Sequence, residues 1–267
     1  MSKKKQVPQT PYSVFAKVYD ETMNEVPYIR WTSFLVNYFY NQGLDKNSLI
    51  LDAGCGTGIA LNQMVPFFPR ALGLDKSYFM LLESRKKTPD RLIQSDILSI
   101  PFPDQSIDGI FSIHDVLNYL KTIENLVLHF KEIFRILKNG AHYIFDVSTE
   151  FNVIRNYHEK TFRETHGKLY MEWKNRYDFN SREIISVIDF SRASLLSRFV
   201  PGIRSLSPAV PGMREVHVQR IFSDNEILEA IHESGLVMLE RFPDYKENHS
   251  GVENANLMVY TVQKDLK

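Results

Sequence analysis

The sequence predicts an α/β fold: a doubly wound, mostly parallel sheet of seven strands with an antiparallel β insertion. Apolar runs of strand length alternate with apolar-periodic segments of helix length between residues 49 and 148, the order typical of parallel sheets covered by helices. Three successive strands in this stretch each end in an acidic residue. Residues 151–220 instead show the period-two alternation typical of antiparallel strands.

The composition is ordinary for a globular protein and argues against two classes of partner. The chain has 267 residues, of which 43% are hydrophobic and 24% are charged. That length is enough for one large domain or for one core with a sizeable insertion. The formal net charge is zero, so a global attraction to nucleic acid or to an anionic membrane is not indicated. We therefore expect neither a nucleic-acid partner nor a membrane.

Cysteine usage and hydropathy bear on metal binding and on the cellular location of the protein. Cys55 is the single cysteine, which excludes an internal disulfide and a cysteine-rich metal site, and no metal is expected. No apolar run approaches the ~20 residues that cross a bilayer. The run Lys3-Lys4-Lys5 has no apolar signal core behind it. A cytoplasmic protein with a short basic tail is therefore predicted.

The stretch 49–58 carries the strongest local signal. An apolar run leads into Asp52, glycines follow at positions 54, 56 and 58, and an apolar-rich segment comes next. This order predicts a strand, a tight turn and a helix. Glycine suits a turn that needs positive φ or the close approach of a ligand, and the first turn of a helix offers unpaired N–H groups. The turn is predicted to bind something small and polar.

The spacing of the glycines excludes two common phosphate-binding loops. The dinucleotide fingerprint is Gly-x-Gly-x-x-Gly with an acid roughly 20 residues further on, whereas Ile59 stands directly after the third glycine here. A P-loop closes on Gly-Lys-Ser or Gly-Lys-Thr, and no such closure follows Gly58. An acid directly before the glycines suits a ligand with a positive group, such as an α-amine.

The run Asp52-Ala53-Gly54-Cys55-Gly56-Thr57-Gly58 resembles the first motif of class I S-adenosylmethionine-dependent methyltransferases. The resemblance implies a Rossmann-like methyltransferase fold and S-adenosyl-L-methionine as the cofactor. It implies that Asp52 holds the methionine end of the cofactor and that Gly54, Cys55 and Gly56 contact it. The alternative is a glycine turn without a ligand.

Two further strand-end acids extend the predicted cofactor site. Asp75 ends a strand at 71–75, where a carboxylate can accept two hydrogen bonds from a ribose diol. The alternative is that Asp75 is a helix N-cap. Lys76 follows it and is a further candidate contact. In the resembled family an acid after the third strand accepts from the adenine amino group and the next N–H meets a ring nitrogen, and Asp96 and Ile97 match those positions.

The fourth strand, 107–113, resembles the family's Phe-Asp-x-Val element, and the residues just past it line the catalytic pocket there. His114 is therefore a candidate to contact the cofactor and the acceptor or to receive a proton, because imidazole titrates near neutrality. The alternative is a structural histidine at the strand end. Asn118 and Tyr119 are lesser candidates for contact with the substrate.

The N-terminal residues 12–42 are predicted to be helical, with Pro27 starting a second helix. They resemble the helical cover of small-molecule methyltransferases, in which an aromatic residue closes over the cofactor. Tyr19 is the first candidate for that role and for a catalytic one. Tyr28 and Trp31 follow as candidates for contact with the substrate. For each of them the alternative is packing alone.

Residues 151–220 are predicted to form a lid over the carboxyl ends of the main sheet, with strands at 169–177, 183–190 and 215–222. A flexible loop is predicted at 203–213, where prolines cluster. Candidates for substrate contact on the lid are Trp173, Arg176, His217 and Arg220. The sequence does not decide whether their side chains point inward.

Three units follow from these assignments: an N-terminal helical cover (1–42), a cofactor-binding core (43–150 and 221–267) and the lid (151–220). The resemblance implies methyl transfer to a nitrogen or oxygen atom of a small metabolite, with His114 and Tyr19 as catalytic candidates. The alternatives are a methyltransferase that acts on RNA or protein, and a cofactor-binding protein without catalysis. A monomer or homodimer is expected. The short motifs Tyr19-Asp20 and 215–220 also resemble motifs of uncharacterised bacterial proteins of this type.

Overall fold

The computed structural model describes residues 10–193, 213–247 and 250–265. The predicted basic tail lies outside these residues, as does nearly all of the predicted loop at 203–213. The strands, in chain order, are β1 (Ile50–Ala53), β2 (Leu72–Asp75), β3 (Leu92–Gln94), β4 (Ile107–Ser112), β5 (Leu137–Ser148), β6 (Thr161–His166), β7 (Leu169–Asp178), β8 (Glu183–Arg192), β9 (Arg214–Arg220), β10 (Leu236–Pro243) and β11 (Leu257–Lys264). The α-helices are α1 (Tyr19–Thr22), α2 (Tyr28–Asn41), α3 (Ile59–Met64), α4 (Tyr78–Ser84), α5 (Ile123–Ile136), α6 (Glu150–Asn152) and α7 (Asp224–Ser234).

The main sheet has seven strands in the order β10-β11-β5-β4-β1-β2-β3. Strand β1 pairs in parallel with β2 and β4, and β11 runs antiparallel to both of its neighbours. The predicted doubly wound, mostly parallel sheet is therefore confirmed. Strand β1 lies where the strand order reverses, which is where open α/β sheets bind ligands beyond their carboxyl ends.

Helices cover both faces of this sheet, and side-chain caps set where several of them begin. Alternate residues of β1 face opposite clusters: Leu51 packs with α5 and α7, whereas Ile50 packs with α2 and α3. The predicted capping box of α7 is present, because Ser223 and Glu226 each accept a hydrogen bond from the other's backbone N–H. Helix α2 begins directly after Pro27.

The lid contains a separate antiparallel sheet in the order β6-β7-β8-β9, which confirms the predicted insertion. The three predicted strands are β7, β8 and β9. Strand β6 was not predicted, because Thr161–His166 has one apolar residue and no period-two alternation. Asn175, Ser186 and His217 are register partners across β7, β8 and β9. How the cover, core and lid divide into units stays a prediction.

The segment before Pro27 is less helical than predicted and packs on the lid. Phe15–Lys17 is a single 3₁₀ turn, and α1 is four residues long. Phe15 packs in one cluster with Met171 and Phe190 of the lid sheet. Helix α2 packs instead on the cluster that covers the main sheet. The cover is therefore divided between the two sheets.

Two kinds of feature are missing from the described part of the chain. None of its helices is long and apolar enough to cross a membrane. Within the same residues, no group of three or more histidine, cysteine, aspartate or glutamate side chains is arranged to hold a metal ion.

Candidate active site

The turn between β1 and α3 has a backbone that its glycines allow. Gly54, Gly56 and Gly58 have φ angles of 99°, 53° and 75°, which residues with side chains rarely adopt. A Cβ on Gly54 would lie 2.5 Å from a methyl group of Val116. A Cβ on Gly56 would meet the end of the Met80 side chain at 3.1 Å and nothing else within 4 Å. Packing therefore requires Gly54, whereas Gly56 leaves space at the surface of the turn.

Asp52, at the end of β1, carries an unsatisfied buried oxygen. Its side chain is 2% exposed, and Oδ2 has no hydrogen-bond partner among the described residues. Burial, and then the nearby carboxylate of Asp75, raises the pKa of Asp52 well above its ordinary value. A buried carboxylate oxygen without a partner is costly. A ligand with a positive, hydrogen-bonding group would remove that cost.

Asp75, at the end of β2, shapes the turn and keeps capacity for a ligand. Its Oδ2 accepts from the Gly56 N–H at 2.8 Å and its Oδ1 accepts from the Ser77 N–H at 2.7 Å. Ser77 is itself the N-cap of α4 and accepts from the Met80 N–H, so Asp75 is not that cap. A carboxylate has about four acceptor positions, so about two remain. Burial raises the pKa of Asp75.

Asp96 and Ile97 follow β3. Burial opposes ionisation of Asp96, but hydrogen bonds from the Lys76 ammonium at 2.6 Å and from the Leu98 N–H at 3.0 Å outweigh it and lower the pKa. His129 is fully buried and donates from Nδ1 to the Ile97 carbonyl at 3.0 Å. Asp96 is thus held by a neighbouring charge, and Ile97 by a hydrogen bond from a buried histidine.

Asp20 ties the N-terminal cover to the glycine turn. The Thr57 hydroxyl donates to Asp20 Oδ1 at 2.6 Å, and the Lys87 ammonium lies 2.5 Å from Asp20 Oδ2. Lys87 also donates to the Thr57 carbonyl at 2.7 Å. Helix α1 is therefore fixed beside the predicted cofactor loop.

A single buried carboxylate holds the backbone just past β4. His114 and Asp115 both have left-handed backbones, with φ of 67° and 56°. Their N–H groups donate to the two oxygens of Asp146 at 2.8 and 2.7 Å. The Tyr245 hydroxyl also donates to Asp146. Burial raises the pKa of Asp146 to about 6, and these three donors hold its carboxylate form.

The His114 ring is surrounded by aromatic residues of the cover. Its Nδ1 lies 3.0 Å from the Tyr19 hydroxyl and 2.7 Å from the Tyr28 hydroxyl. Burial lowers the pKa of His114 to about 4, so the ring is neutral near pH 7. Trp31 lies behind it, with ring centroids 5.6 Å apart, and stacks on Tyr245. Trp31 therefore supports His114 from behind.

A second polar cluster connects the cover to the lid. The Tyr12 and Tyr119 hydroxyls lie 2.6 Å apart. The Tyr119 hydroxyl lies 3.2 Å from Nδ1 of His217, whose Nε2 lies 3.1 Å from Glu215. Glu215 is fully buried and also accepts hydrogen bonds from the segment 12–15.

A cavity of about 700 Å³ joins these groups at the carboxyl ends of β1, β2 and β4. Residues of the glycine turn form one end, and aromatic residues of the cover form the other. The sequence-predicted residues in its wall are Tyr19, Tyr28, Asp52, Gly54, Cys55, Gly56, Asp75, Lys76, Asp96, Ile97, His114 and Tyr119. The fold therefore brings the predicted cofactor residues and the predicted catalytic residues to one space.

The other predicted substrate contacts lie outside this wall, three of them because their side chains serve the structure. Trp31 is behind His114. Asn118 is fully buried, donates to the Arg220 carbonyl at 2.7 Å and accepts from the Ser148 N–H at 2.9 Å. His217 is separated from the cavity by Tyr119. None of these three side chains therefore lines the cavity.

The remaining three are on the lid. Trp173 packs edge-on against Phe15, with ring centroids 5.6 Å apart. Arg176 is exposed on β7, between two buried neighbours, and so faces away from the core. Arg220 pairs with Glu226 at 2.7 Å. None of these three residues lines the cavity either.

Comparison with known proteins agrees with this geometry. A sequence profile described as a methyltransferase domain matches residues 51–145. The protein YqeM of Bacillus subtilis (strain 168), which is named a methyltransferase, is 28% identical over 250 residues, or 92% of this chain and 94% of that protein. An S-adenosylmethionine-dependent methyltransferase from Clostridium acetobutylicum has the same fold, with a TM-score of 0.77 at 22% identity over 95% of this chain and 99% of the other. The chain belongs to the class I S-adenosylmethionine-dependent methyltransferases.

A further structural neighbour of this methyltransferase is the sugar N-methyltransferase KedS8 from Streptoalloteichus, with a TM-score of 0.74 at 16% identity over 99% of this chain and 98% of that one. The methyltransferase uses S-adenosyl-L-methionine as its cofactor, and its residues fit that group. The unpartnered Oδ2 of Asp52 is an acceptor that lacks a donor. Gly56 lines the cavity without a Cβ, so a ligand can approach the backbone of the turn closely.

Sequence reasoning missed several residues of this methyltransferase site. Asp146 had a usable signal, because it is an acid inside the otherwise apolar stretch 143–147. Asp20 belongs to the Tyr19-Asp20 motif, but its contact with the glycine turn was not predicted. Tyr12 and Glu215 had no local signal, since their contacts join residues about 200 positions apart in the chain.

Proposed function

We propose that this methyltransferase transfers a methyl group to a nitrogen or oxygen atom of a small metabolite. The observation that carries the proposal is the lining of the cavity: Tyr12, Tyr19 and Tyr28 of the cover and Tyr119 share its wall with the residues of the glycine turn. Its volume of about 700 Å³ is in the range of pockets for small molecules, on the order of 300–1,000 Å³.

In this proposal the glycine-turn end holds the cofactor. Asp52 accepts from the α-ammonium group, and Gly56 lets the cofactor approach the backbone. Asp75 uses its free acceptor positions for the ribose diol. Asp96 and the Ile97 N–H hold the adenine, beside Lys76. Gly54 and Cys55 complete the turn.

The other end positions the acceptor. S-adenosyl-L-methionine supplies a methyl group that is already activated by its sulfonium. The chain must place the acceptor atom in line with it and exclude water. His114 is neutral near pH 7 because of its burial, so it can accept a hydrogen bond or a proton from the acceptor. Tyr19 and Tyr28 orient His114 through the hydrogen bonds to Nδ1, and Tyr19 also covers the cofactor.

Two further considerations support a small acceptor. The sequence-wide formal charge is zero, which does not favour RNA. The name of KedS8 describes methylation of a sugar nitrogen, and that likeness is a reason to include amino sugars among the acceptors. Cytoplasmic location and a monomeric or homodimeric state stay predictions.

The test begins with calorimetry on the full chain, titrated with S-adenosylmethionine and with its demethylated product. Turnover is then measured with labelled S-adenosylmethionine against amines, amino sugars, hydroxy acids, RNA and protein. We expect binding of both cofactor forms and turnover of a small amine or hydroxyl compound. Asp52→Asn should weaken binding, whereas Asp90→Asn, on an exposed loop, should not.

Other outcomes would contradict the proposal at different points. Turnover of RNA or protein alone would replace the small-molecule acceptor. Tight cofactor binding with no turnover on any member of the panel would favour a binding protein without catalysis. Failure of both cofactor forms to bind at millimolar concentration would remove the cofactor assignment for these residues.

A further inference from the structure

Four side chains form a continuous hydrogen-bonded chain that leads from the cavity wall to a buried carboxylate. Tyr12 and Tyr119 line the cavity, and their hydroxyl oxygens are 2.6 Å apart. Tyr119 then contacts His217 Nδ1 at 3.2 Å, and His217 Nε2 contacts Glu215 Oε2 at 3.1 Å. His217 is 4% exposed and Glu215 is 0% exposed. We call these four residues the Tyr12–Glu215 chain.

Glu215 fixes the direction of every hydrogen bond in this chain. Besides His217, it accepts from the N–H groups of Tyr12, Val14 and Phe15 and from the Ser13 hydroxyl, at 2.5 to 3.1 Å. Burial opposes its ionisation, but the hydrogen bonds from His217, Val14 and Phe15 outweigh burial and lower the pKa of Glu215. An ionised carboxylate only accepts hydrogen bonds.

The tautomer of His217 follows from this. Because Glu215 accepts, Nε2 of His217 carries a proton, and the ring can take up a second proton only if Nδ1 is free and accepts a hydrogen bond. Tyr119 must donate to that Nδ1, so its oxygen accepts from the Tyr12 hydroxyl. Each donor in the chain points away from the cavity and toward Glu215. The Tyr12 oxygen keeps its acceptor positions for a group in the cavity.

We infer that the Tyr12–Glu215 chain is a proton relay that takes up the proton released by the methyl acceptor. The inference rests on the proposed transfer to nitrogen or oxygen and narrows the acceptor to a hydroxyl group or a neutral amine, whose reacting atom has a lone pair and loses a proton as it is methylated. Tyr12 and Tyr119 face the acceptor. His217 and Glu215 act through Tyr119 and are positioning residues in that sense.

The step balances in atoms and electrons. The acceptor atom forms its bond to the methyl carbon with a lone pair, and the electron pair of the broken S–C bond stays on sulfur. The acceptor's proton passes to the Tyr12 oxygen as the Tyr12 proton passes to Tyr119 and the Tyr119 proton to Nδ1 of His217. The relay ends with an imidazolium beside the Glu215 carboxylate, and neither tyrosine is left ionised.

His217 suits this role better than His114, although His114 also lies beside tyrosines. The Glu215 carboxylate lies 3.1 Å from His217 Nε2, and opposite charges at this distance attract strongly away from bulk water. His114 has no carboxylate on its ring, and burial lowers its pKa to about 4. Other titratable groups near the chain are Tyr19 and Asp115, which act on Tyr119.

A purely structural role is the rival explanation, because Glu215 also anchors the N-terminal segment. Variants that leave Glu215 and its backbone contacts in place separate the two. Tyr119→Phe keeps the ring and removes the hydroxyl. His217→Gln keeps a hydrogen-bond donor and acceptor but has no basic nitrogen. Ser13→Ala is the matched control, since it removes one hydrogen bond to Glu215 outside the relay.

The kinetic arm uses the full chain, labelled S-adenosylmethionine and the best acceptor of the panel described above. We expect kcat to fall about 100-fold or more in Tyr119→Phe and in His217→Gln, the range for loss of proton transfer. KM and the cofactor Kd should stay within about twofold, and Ser13→Ala should retain wild-type kcat. Unchanged kcat in both relay variants, or a loss confined to KM, would overturn the inference.

A spectroscopic arm needs no acceptor. Side-chain ¹⁵N correlation spectra of the wild-type protein, with His217→Gln to assign the signal, report which ring nitrogen of His217 carries the proton. The relay requires protonation at Nε2 with Nδ1 free, and protonation at Nδ1 would overturn it. If no small acceptor is methylated, the proposed function is wrong whatever the state of the relay. The tautomer of His217 still decides whether the hydrogen bonds of the Tyr12–Glu215 chain all point toward Glu215.

Discussion

The two ends of the cavity are built in different ways. The cofactor end is made from one continuous stretch, residues 52–98, whose acids stand at the ends of neighbouring strands. The acceptor end combines residues from the cover, from the segment after β4 and from the lid. The first kind of site is written locally in the sequence, whereas the second exists only once distant segments have packed together.

The two ends also differ in how their polar atoms are satisfied. At the cofactor end, Oδ2 of Asp52 has no partner. At the acceptor end, each hydroxyl of Tyr12, Tyr19, Tyr28 and Tyr119 already contacts a polar side-chain atom. The cofactor end is therefore prepared for a charged ligand. The acceptor end must exchange existing hydrogen bonds for those of a ligand, which favours specificity over affinity.

The largest expected effect tests whether the glycine turn serves packing or binding. A Cβ on Gly58 would lie 2.2 Å from Oγ of the buried Ser84, at a φ of 75°. Gly58→Ala should lower the free energy of unfolding by about 3 kcal/mol, from overpacking and left-handed strain. Gly56→Ala should cost about 1 kcal/mol of stability but weaken cofactor binding about tenfold, because its Cβ would stand in the cavity wall and meet only the flexible end of Met80. Urea unfolding and calorimetry measure the two effects. Equal losses of stability in the two variants would show that Gly58 is no more important for packing than Gly56.

The unpartnered carboxylate gives the next largest effect. Asp52→Asn removes a buried charge, so the free energy of unfolding without cofactor should stay unchanged or rise. Cofactor affinity should fall about 30-fold, in line with the roughly 2 kcal/mol of a hydrogen bond to a charged group. Asp90→Asn serves as the exposed control. A parallel loss of stability and affinity would mean that Asp52 is a structural residue.

Low pH should lower the free energy of unfolding through His129, which holds Ile97 at the cofactor end. Burial lowers the pKa of His129 to about 4, against about 6.5 for an unfolded chain. The unfolded state then binds more protons, so stability falls as the pH drops from about 6.5 toward 4, by about 2 kcal/mol at pH 5. His129→Gln should remove this part of the slope in urea unfolding at several pH values. An identical slope in the variant would show that His129 is not buried in the neutral form.

The smallest expected effect is at His114, because two tyrosine hydroxyls share its Nδ1. Tyr28→Phe removes the 2.7 Å contact with His114, but Tyr19 keeps its own. We expect kcat to fall about tenfold, or about 1.4 kcal/mol, with the cofactor Kd within about twofold. Tyr40→Phe, near the exposed end of α2, is the control. A large change in cofactor Kd would place Tyr28 at the cofactor end instead.

Features that depend on residues close together in the chain were predicted from the sequence. Contacts between distant segments were not. The order of the strands, the capping box at Ser223 and the acids at 52, 75 and 96 depend on spacing within a few dozen residues. Strand β6 was not predicted because Thr161–His166 has one apolar residue and therefore no period-two alternation. Asn118, His217 and Arg220 were expected in the pocket, yet their polar groups pair with other parts of the fold. No spacing rule reveals which polar side chain a buried one will meet.

The position of Glu215 has a consequence for the order in which the protein is made. Its carboxylate accepts from N–H groups about 200 residues earlier, so residues 12–15 lack this docking site until β9 has been synthesised. At about 5–20 residues per second, ribosomes need roughly 10–40 s for that length. During this time the nascent chain carries Tyr12 and Phe15 without their partners on the lid. This part of the cavity wall is thus translated about 200 residues before the carboxylate that holds it in place.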